Sequence, residues 1–352
     1  MVISELLIKI PYTLAWYLTN SKNNPFPIVF YCTDFIDYEI FEPILNQFQE
    51  ISIVAKNREV QKKLFEHGVS SILWPVYPQV VMMARHSLHM FPTKKIIKIG
   101  MRHGAYNFKS FIDKNKYNKF DLYFFTSKKE LEEAKEIGIT KGDVGGFPKI
   151  DALHNGIIKE KELEKLKAQI NFRNNKPIIL FSATWNKSKL SAVEKWYDKL
   201  NLLTDDFNVL VTVHSFTENR IVEKIKSTPK VYFIVDEKIA PYLLLADVLI
   251  GDSSSIIAEF CTLDKPIATF RIGEKGRLSK KIIEILDEIS FRINSFEDLQ
   301  LLLPNILKNK MQHSEKRKFY SNLMIDNIDG NSAKIMAEKI KVFLEKKEIS
   351  IK

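Results

Sequence analysis

Four groups of polar residues close apolar runs in this chain, and their types define the chemistry on offer. Arg102-His103-Gly104-Ala105 follows the run Lys95–Ile99. A histidine beside a glycine leaves room for a substrate, and its near-neutral pKa suits a general base. Ser182-Ala183-Thr184-Trp185 follows Ile178–Phe181. Its hydroxyls can meet a phosphate, while Trp185 either lines a pocket or covers the sheet edge. His214 closes Val209–Val213, where an imidazole can donate to a pyrophosphate or protonate a departing phosphate. Asp252-Ser253-Ser254-Ser255 follows Val248-Leu249-Ile250-Gly251, with Glu259 about one helical turn further on. A strand, a polar turn and a helix N-terminus together present free N–H groups to a phosphate. The same serines also suit helix capping, and the two roles are compatible: Ser253 as cap, Ser254 and Ser255 toward the ligand.

The elements that must position these residues alternate. Ile28–Tyr31, Ile51–Ala55, Ile72–Trp74, Val80–Met83, Lys95–Ile99 and Leu122–Phe125 read as strands, with helices expected over Asp34–Phe48, Arg58–His67 and Ser127–Ile137. Gly68 and Gly138 stop the last two. After Val144–Pro148 the lysine- and glutamate-rich segment Ile157–Gln169 has little to anchor it in a core, so the domain boundary is expected there. The pattern then restarts with strands at Pro177–Phe181, Val209–Val213, Val231–Val235, Val248–Ile250 and Ile267–Phe270. Helices are expected over Ser191–Leu203, Arg220–Ser227, Ile239–Ala246 and Ile256–Leu263. This is an α/β pattern, and it fits two Rossmann-like domains facing across a cleft. The expected division is 1–156, 157–330 and a C-terminal helix in 331–352. That helix has Ile335, Met336, Ile340, Val342, Phe343 and Leu344 available for burial.

Composition narrows the class. The 352 residues are 45% hydrophobic and 27% charged, as in a soluble globular protein of two ordinary domains. Cys32 and Cys261 lack metal-like spacing, so neither a zinc site nor a disulfide is expected. A net charge of +10 and a pI near 9.2 invite nucleic acid, an anionic membrane surface or a phosphorylated substrate. No basic stripe interleaved with aromatics is present, which argues against nucleic acid. No Gly-x-Gly-x-x-Gly turn follows the first strand and no Walker-type loop is present, which argues against a dehydrogenase and a P-loop enzyme. Met1–Asn20 either rests on a membrane through Leu14, Trp16, Tyr17 and Leu18 or packs on the core as a first helix.

Several motifs in order resemble the CDP-glycerol:poly(glycerophosphate) glycerophosphotransferase family, the teichoic acid polymerase group. They are His103-Gly104, Gly146-Phe147-Pro148-Lys149-Ile150-Asp151, Ile179–Trp185 and Val211-Thr212-Val213-His214. Asp252–Ser255 with Leu263-Asp264-Lys265-Pro266, and Asp329-Gly330-Asn331-Ser332-Ala333, complete the set. The resemblance implies a GT-B-type architecture, an acceptor-side first domain and a second domain binding a CDP-activated alcohol. The phosphoalcohol would pass to a hydroxyl of a lipid-linked or glycan acceptor in teichoic acid or capsule-like polymer synthesis. The setting would be cytoplasmic, peripheral on the inner membrane face.

In the resemblance His103 is the catalytic base, flanked by Arg102 and Gly104 on the acceptor side. His214 and the Ser254 and Ser255 hydroxyls hold the pyrophosphate, with Thr184, Trp185, Asp252, Ser253 and Glu259 completing the donor site. No cofactor or metal is demanded, because dipoles and side-chain donors can offset the developing charge. Four features depart from what the resemblance leads one to expect. Ser215 follows His214 where proline is usual, and Ser253 replaces an aromatic residue. The stretch Ile267–Leu303 is shorter than expected and lacks a clear acidic-aromatic donor loop, and the sequence given does not include the long N-terminal region of the polymerases. These leave the donor's alcohol and the acceptor open. The alternatives are a GT-B nucleotide-sugar glycosyltransferase, a UDP-sugar 2-epimerase, and a non-catalytic protein that docks on anionic surfaces.

Overall fold

Short runs rich in β-branched and aromatic residues become buried strands when helices can cover both faces of the sheet. The structure, a computed structural model, describes residues 2–21, 24–49, 51–106, 113–172, 176–235, 238–272 and 280–349. Its described strands form two sheets, one of seven and one of six, and every pairing is parallel. Two α/β units are therefore present, as the alternating pattern implies.

The first unit groups Met1–His103, Phe111–Asp151 and Asp329–Lys352. Its strands are β1 (Ile28–Cys32), β2 (Ser52–Ala55), β3 (Ile72–Leu73), β4 (Val80–Met83), β5 (Ile97–Met101), β6 (Leu122–Phe125) and β7 (Gly142–Val144). They lie in the order β3-β2-β1-β4-β5-β6-β7, so the winding reverses between β1 and β4. Val29, Tyr31, Val81, Met83, Tyr123 and Phe125 fill one face of this sheet's core. The helices Arg58–Glu66 and Lys128–Glu136 end, as expected, just before Gly68 and Gly138, whose φ values are 76° and 88°.

The first helix, Val2–Asn20, packs on the first unit, the second of its two expected roles. Tyr12 donates its hydroxyl to Val76 O at 2.5 Å, Trp16 its ring N–H to Pro78 O at 2.6 Å, and Asn20 its amide to Tyr77 O at 2.8 Å. Trp16 is thus turned to the unit and is not on the outward face. Ile10, Leu14, Tyr17 and Leu18, spaced i, i+4, i+7, i+8, form that face and are 49–69% exposed. Among the described residues no helix is long and apolar enough to cross a membrane.

The chain's last helix, Ser332–Glu345, returns to the first unit. No side chain of its own caps its N-terminus. Asp151, 3% exposed, does so instead, accepting from the N–H groups of Ser332 at 3.1 Å and Ala333 at 2.7 Å. Burial pushes the Asp151 carboxyl up to about 6, against the pull of those same N–H groups. Gly145 lets the helix approach: a Cβ there would lie 2.3 Å from Met336 Cε. Met336, Ile340 and Leu344 are buried one turn apart, whereas Val342, expected among them, is 49% exposed on the opposite side.

The second unit groups Gly104–Ser110 with Ala152–Ile328. Its strands are β8 (Ile178–Ala183), β9 (Asn208–Val213), β10 (Val231–Phe233), β11 (Val248–Gly251), β12 (Ile267–Phe270) and β13 (Phe291–Ile293), in the order β10-β9-β8-β11-β12-β13. Phe181, Trp196, Val211, Ile250 and Phe270 lie at the centre of its core. The expected helix over Ser191–Leu203 is instead a series of tight turns with 3-10 segments at Val193–Lys195 and Leu200–Leu203. Its buried Val193, Trp196, Leu200 and Leu203 carry i, i+3 and i, i+4 spacings. The i, i+3 spacing belongs to both kinds of helix, so periodicity alone does not separate them. The helix Glu160–Gln169 buries none of its residues, in keeping with its weakly apolar sequence.

Leu263-Asp264-Lys265-Pro266 is a structural staple in this unit. The helix before it ends at Cys261, two residues short of expectation, and Asp264 turns the chain with φ at 51°. Asp264 accepts from Ser314 Oγ at 2.6 Å and from the fully buried Arg317 at 3.0 Å. Lys265 Nζ reaches Leu244 O at 2.5 Å and Ala246 O at 2.9 Å, closing the C-terminal end of the helix Ala240–Leu245. Burial lowers the Lys265 pKa while these carbonyls hold its protons.

Candidate active site

In the second unit the turn after β11 is organised by Asp252. This carboxylate is fully buried and accepts from four backbone N–H groups. Thr184 N–H is shared by both oxygens at 3.1 and 3.2 Å, Ala192 reaches Oδ2 at 3.0 Å, and Ser253 and Ser254 reach Oδ1 at 2.5 and 3.1 Å. Burial raises the Asp252 pKa, and the N–H groups work against it. The carboxylate therefore ties the turn after β8 to the turn after β11, with its hydrogen-bonding capacity spent on backbone. Ser253 adds a second tie, donating to Leu190 O at 3.1 Å, and is 3% exposed. It does not cap the helix Ile256–Cys261, whose N-cap residue is Ser255 and makes no side-chain capping bond.

What this frame presents outward is the pair Ser254 and Ser255. Both are half-buried, and neither hydroxyl bonds a described residue. The helix has only six residues, so its dipole is small. The hydroxyls and the adjacent N–H groups are the donors on offer. Glu259 lies buried one turn into the helix, at 4% exposure. Gly104, which groups with this unit, approaches so closely that a Cβ would lie 2.9 Å from Ser255 Oγ.

A second edge of the same unit carries the aromatic residues. His214 stands exposed one residue beyond β9, and its Nδ1 accepts the Phe216 N–H at 3.1 Å. An accepting Nδ1 carries no proton, so the neutral ring has its proton on Nε2 and is a donor there. Phe216 lies 5.1 Å from the His214 ring and 5.9 Å from that of Trp185. Trp185 is half-buried and directly follows Thr184, itself 7% exposed. Phe216 and the Leu190–Ala192 loop were not marked by sequence reasoning. Phe216 stands two residues beyond His214, which is the one signal that pointed to it.

In the first unit, His103 is exposed two residues beyond β5. Arg102, beside it, is turned the other way and is 8% exposed. Its Nε donates to Glu130 at 2.9 Å, its Nη2 also bonds Glu130, and Nη1 donates to the Tyr117 hydroxyl at 3.3 Å. Burial on its own would lower the Arg102 pKa, and Glu130 more than reverses that. Glu130 in turn accepts from the Thr126 N–H and hydroxyl, both at 3.0 Å. Arg102 therefore fixes the chain that carries His103. The alternation of side chains along an extended segment is the sequence signal for this, since neighbours point to opposite sides.

The turn after β1 repeats the same device. Asp37, fully buried, accepts from Thr33 N–H at 2.8 Å and Thr33 Oγ at 2.7 Å, and from Arg85 Nε at 2.7 Å. In both places an acid four residues after a strand-end threonine anchors an arginine from the neighbouring strand.

The family profile described as CDP-Glycerol:Poly(glycerophosphate) glycerophosphotransferase matches residues 101–341. The chain belongs to this family. The family's matched span takes in His103, Asp151, His214, Asp252–Ser255 and Asp264–Pro266. A teichoic acid poly(ribitol-phosphate) polymerase of Bacillus spizizenii is 22% identical over 85% of this chain and 49% of its own length. A teichoic acid poly(glycerol phosphate) polymerase of Bacillus subtilis is 26% identical over 36% of this chain and 18% of its own length. The chain thus spans about half or less of these curated family members. Among solved structures, a histidine-to-asparagine variant of the wall teichoic acid polymerase TagF soaked with CDPG superposes with a TM-score of 0.74. It is 14% identical and covers 98% of this chain and 99% of that one. The likeness establishes the GT-B-type fold.

Proposed function

We propose that the protein transfers a polyol phosphate from a CDP-activated donor to a hydroxyl of a lipid-linked or glycan acceptor in cell-surface polymer synthesis. The first unit takes the acceptor and the second takes the donor. Family membership supplies the reaction class. The observation that carries the assignment of the donor site is the Asp252 frame. It holds the Ser254 and Ser255 hydroxyls outward at a strand end, where parallel α/β sheets keep their ligands.

The residues divide the reaction as follows. His103 accepts the proton of the acceptor hydroxyl as its oxygen attacks the phosphorus that carries the polyol. A new P–O bond forms there, and the bond to the bridging oxygen breaks. CMP leaves with that oxygen and the bonding electrons. His214, as an Nε2–H donor, and the two serine hydroxyls stabilise the charge that develops on the leaving phosphate. Trp185 and Phe216 offer aromatic faces to the base. Arg102, Asp252, Ser253 and Thr184 position these groups, and Glu259 supports the helix behind the serines.

The deciding experiment pairs turnover with binding. His103→Ala is expected to abolish transfer and leave CDP-donor affinity nearly unchanged. His214→Ala is expected to weaken both. Full activity in His103→Ala removes the base assignment.

The two Bacillus relatives are a poly(ribitol-phosphate) polymerase and a poly(glycerol phosphate) polymerase, so calorimetry with CDP-glycerol and CDP-ribitol selects the alcohol. Tighter binding of UDP-sugars than of either would favour the glycosyltransferase or epimerase reading. The outward face of the first helix, Ile10, Leu14, Tyr17 and Leu18, fits an anionic membrane surface beside a lipid-linked acceptor at the cytoplasmic face. Flotation with anionic liposomes at low salt tests this, and failure to float removes it.

A further inference from the structure

The two arginine devices of the first unit differ in one respect that bears on ligand binding. Arg85 and Arg102 occupy equivalent places. Met83 of β4 pairs with Gly100 of β5, and each arginine stands two residues beyond its member of that pair. Arg102 spends all three of its donor groups inside the unit, on Glu130 and on the Tyr117 hydroxyl. Arg85 spends only Nε, at 2.7 Å from Asp37 Oδ1. Its two terminal nitrogens bond no described residue, and its side chain is 29% exposed.

The place matters as much as the open fork. The strand order of the first sheet reverses between β1 and β4, and parallel α/β sheets bind ligands outside the strand ends at such a switch point. Arg85 leaves β4 at that point, and the Thr33–Asp37 turn that grips it leaves β1. Asp37 is fully buried and uses its other oxygen on Thr33, so it fixes the guanidinium and offers nothing further to a ligand. A guanidinium held by Nε with its two terminal groups free is set for bidentate capture of an oxyanion.

We propose that Arg85, gripped by Asp37 at the β1–β4 switch point, binds a phosphate group of the acceptor's polyol phosphate. His103 leaves the adjacent strand β5 on the same edge of the sheet. An acceptor held through its phosphate at Arg85 would therefore offer a hydroxyl toward the base from within one unit. The identity of that phosphate as the acceptor's rests on the transferase reading.

The test is calorimetry of glycerol 3-phosphate with the full chain, wild type against Arg85→Gln, and with phosphatidylglycerol vesicles in a parallel arm. Arg85→Gln is expected to weaken glycerol 3-phosphate binding by about tenfold or more, the loss of a charge-assisted pair. CDP-donor affinity should stay unchanged, and an unchanged urea denaturation profile by circular dichroism shows that the first unit is folded in the variant. If Arg85→Gln does not fold, Arg85→Lys keeps a cation beside Asp37, loses the fork, and is expected to lose several-fold affinity.

Equal affinity in wild type and variant, or no binding of glycerol 3-phosphate to the wild type, overturns the proposal. A difference confined to the vesicles assigns Arg85 to a lipid surface and overturns it as an acceptor site. Because the binding arm needs no turnover, absence of transfer with every CDP donor sinks the reaction class and leaves this site to be judged by glycerol 3-phosphate alone.

Discussion

Replacing Asp252 separates a residue that touches the donor from one that holds the site together. In Asp252→Asn one oxygen remains for Ser253, Ser254 and the shared Thr184 N–H, while an amide NH2 replaces the Oδ2 acceptor. The Ala192 N–H, in a residue only 1% exposed, is then left facing a donor. An orphaned buried donor costs about 1–3 kcal/mol. Asp252→Ala orphans the N–H groups of Thr184, Ala192 and Ser253, all in buried residues. At about 1–3 kcal/mol for each orphaned donor, the loss is a large part of a domain's stability.

Urea denaturation followed by circular dichroism and by tryptophan fluorescence reads the loss. Trp196 reports on the second unit, because it is fully buried there. Calorimetry with the CDP donor on the folded fraction reads the site. The expected order of stability is wild type, then Asn, then Ala, with donor affinity falling in the same order. An Asn variant with unchanged denaturation and lost donor binding would refute the reasoning, since it would make Asp252 a direct contact.

Asp151 and His86 predict a pH signature. Burial, helped by Arg102 and Lys116, lowers the His86 pKa to about 4, so stability is lost as pH falls from about 6.5 toward 4. Asp151 has its folded pKa raised to about 6, so its contribution has the opposite sign and grows as pH falls through that value. Asp151→Asn removes only the second effect, and its thermal midpoint should fall more steeply between pH 6.5 and 4.5 than that of the wild type. Parallel profiles would contradict the assignment. Lys265→Met strips the carbonyls of Leu244 and Ala246 of their donor and is expected to cost about 1–2 kcal/mol in urea denaturation. Its folded fraction should keep the wild-type affinity for the CDP donor, and a selective loss of affinity would make Lys265 part of the site.

Much of the architecture was legible because apolar runs and their glycine stops are local. β1, β4 and β6 fall within a residue of the runs Ile28–Tyr31, Val80–Met83 and Leu122–Phe125. Contacts across long separations were not legible. Asp151 reads as part of a junction motif, yet it caps a helix 181 residues later in the chain. Leu-Asp-Lys-Pro reads as one of the motifs that carry the family resemblance, and in the structure it binds Arg317 and closes a neighbouring helix.

The serines illustrate the division most clearly. Their spacing after β11 marked a phosphate-shaped turn, but only the structure separates Ser253, turned inward to Leu190, from Ser254 and Ser255, turned outward. Arg85 escaped notice although His86 follows it as His103 follows Arg102, because no glycine comes next, and Asp37 stands beside neither residue type. The repeated threonine–acid spacing, Thr33 to Asp37 and Thr126 to Glu130, was the available clue.

The central claim is the transfer of a polyol phosphate from a CDP donor, and product mass measures it directly. The purified chain is incubated with CDP-glycerol, CDP-ribitol and UDP-sugars in turn, each with a polyol-phosphate-primed lipid acceptor. The account predicts an acceptor heavier by one polyol phosphate unit and release of CMP with a CDP donor, and neither with His103→Ala. A hexose-sized increment with release of UDP, or product formed equally well by His103→Ala, would contradict it.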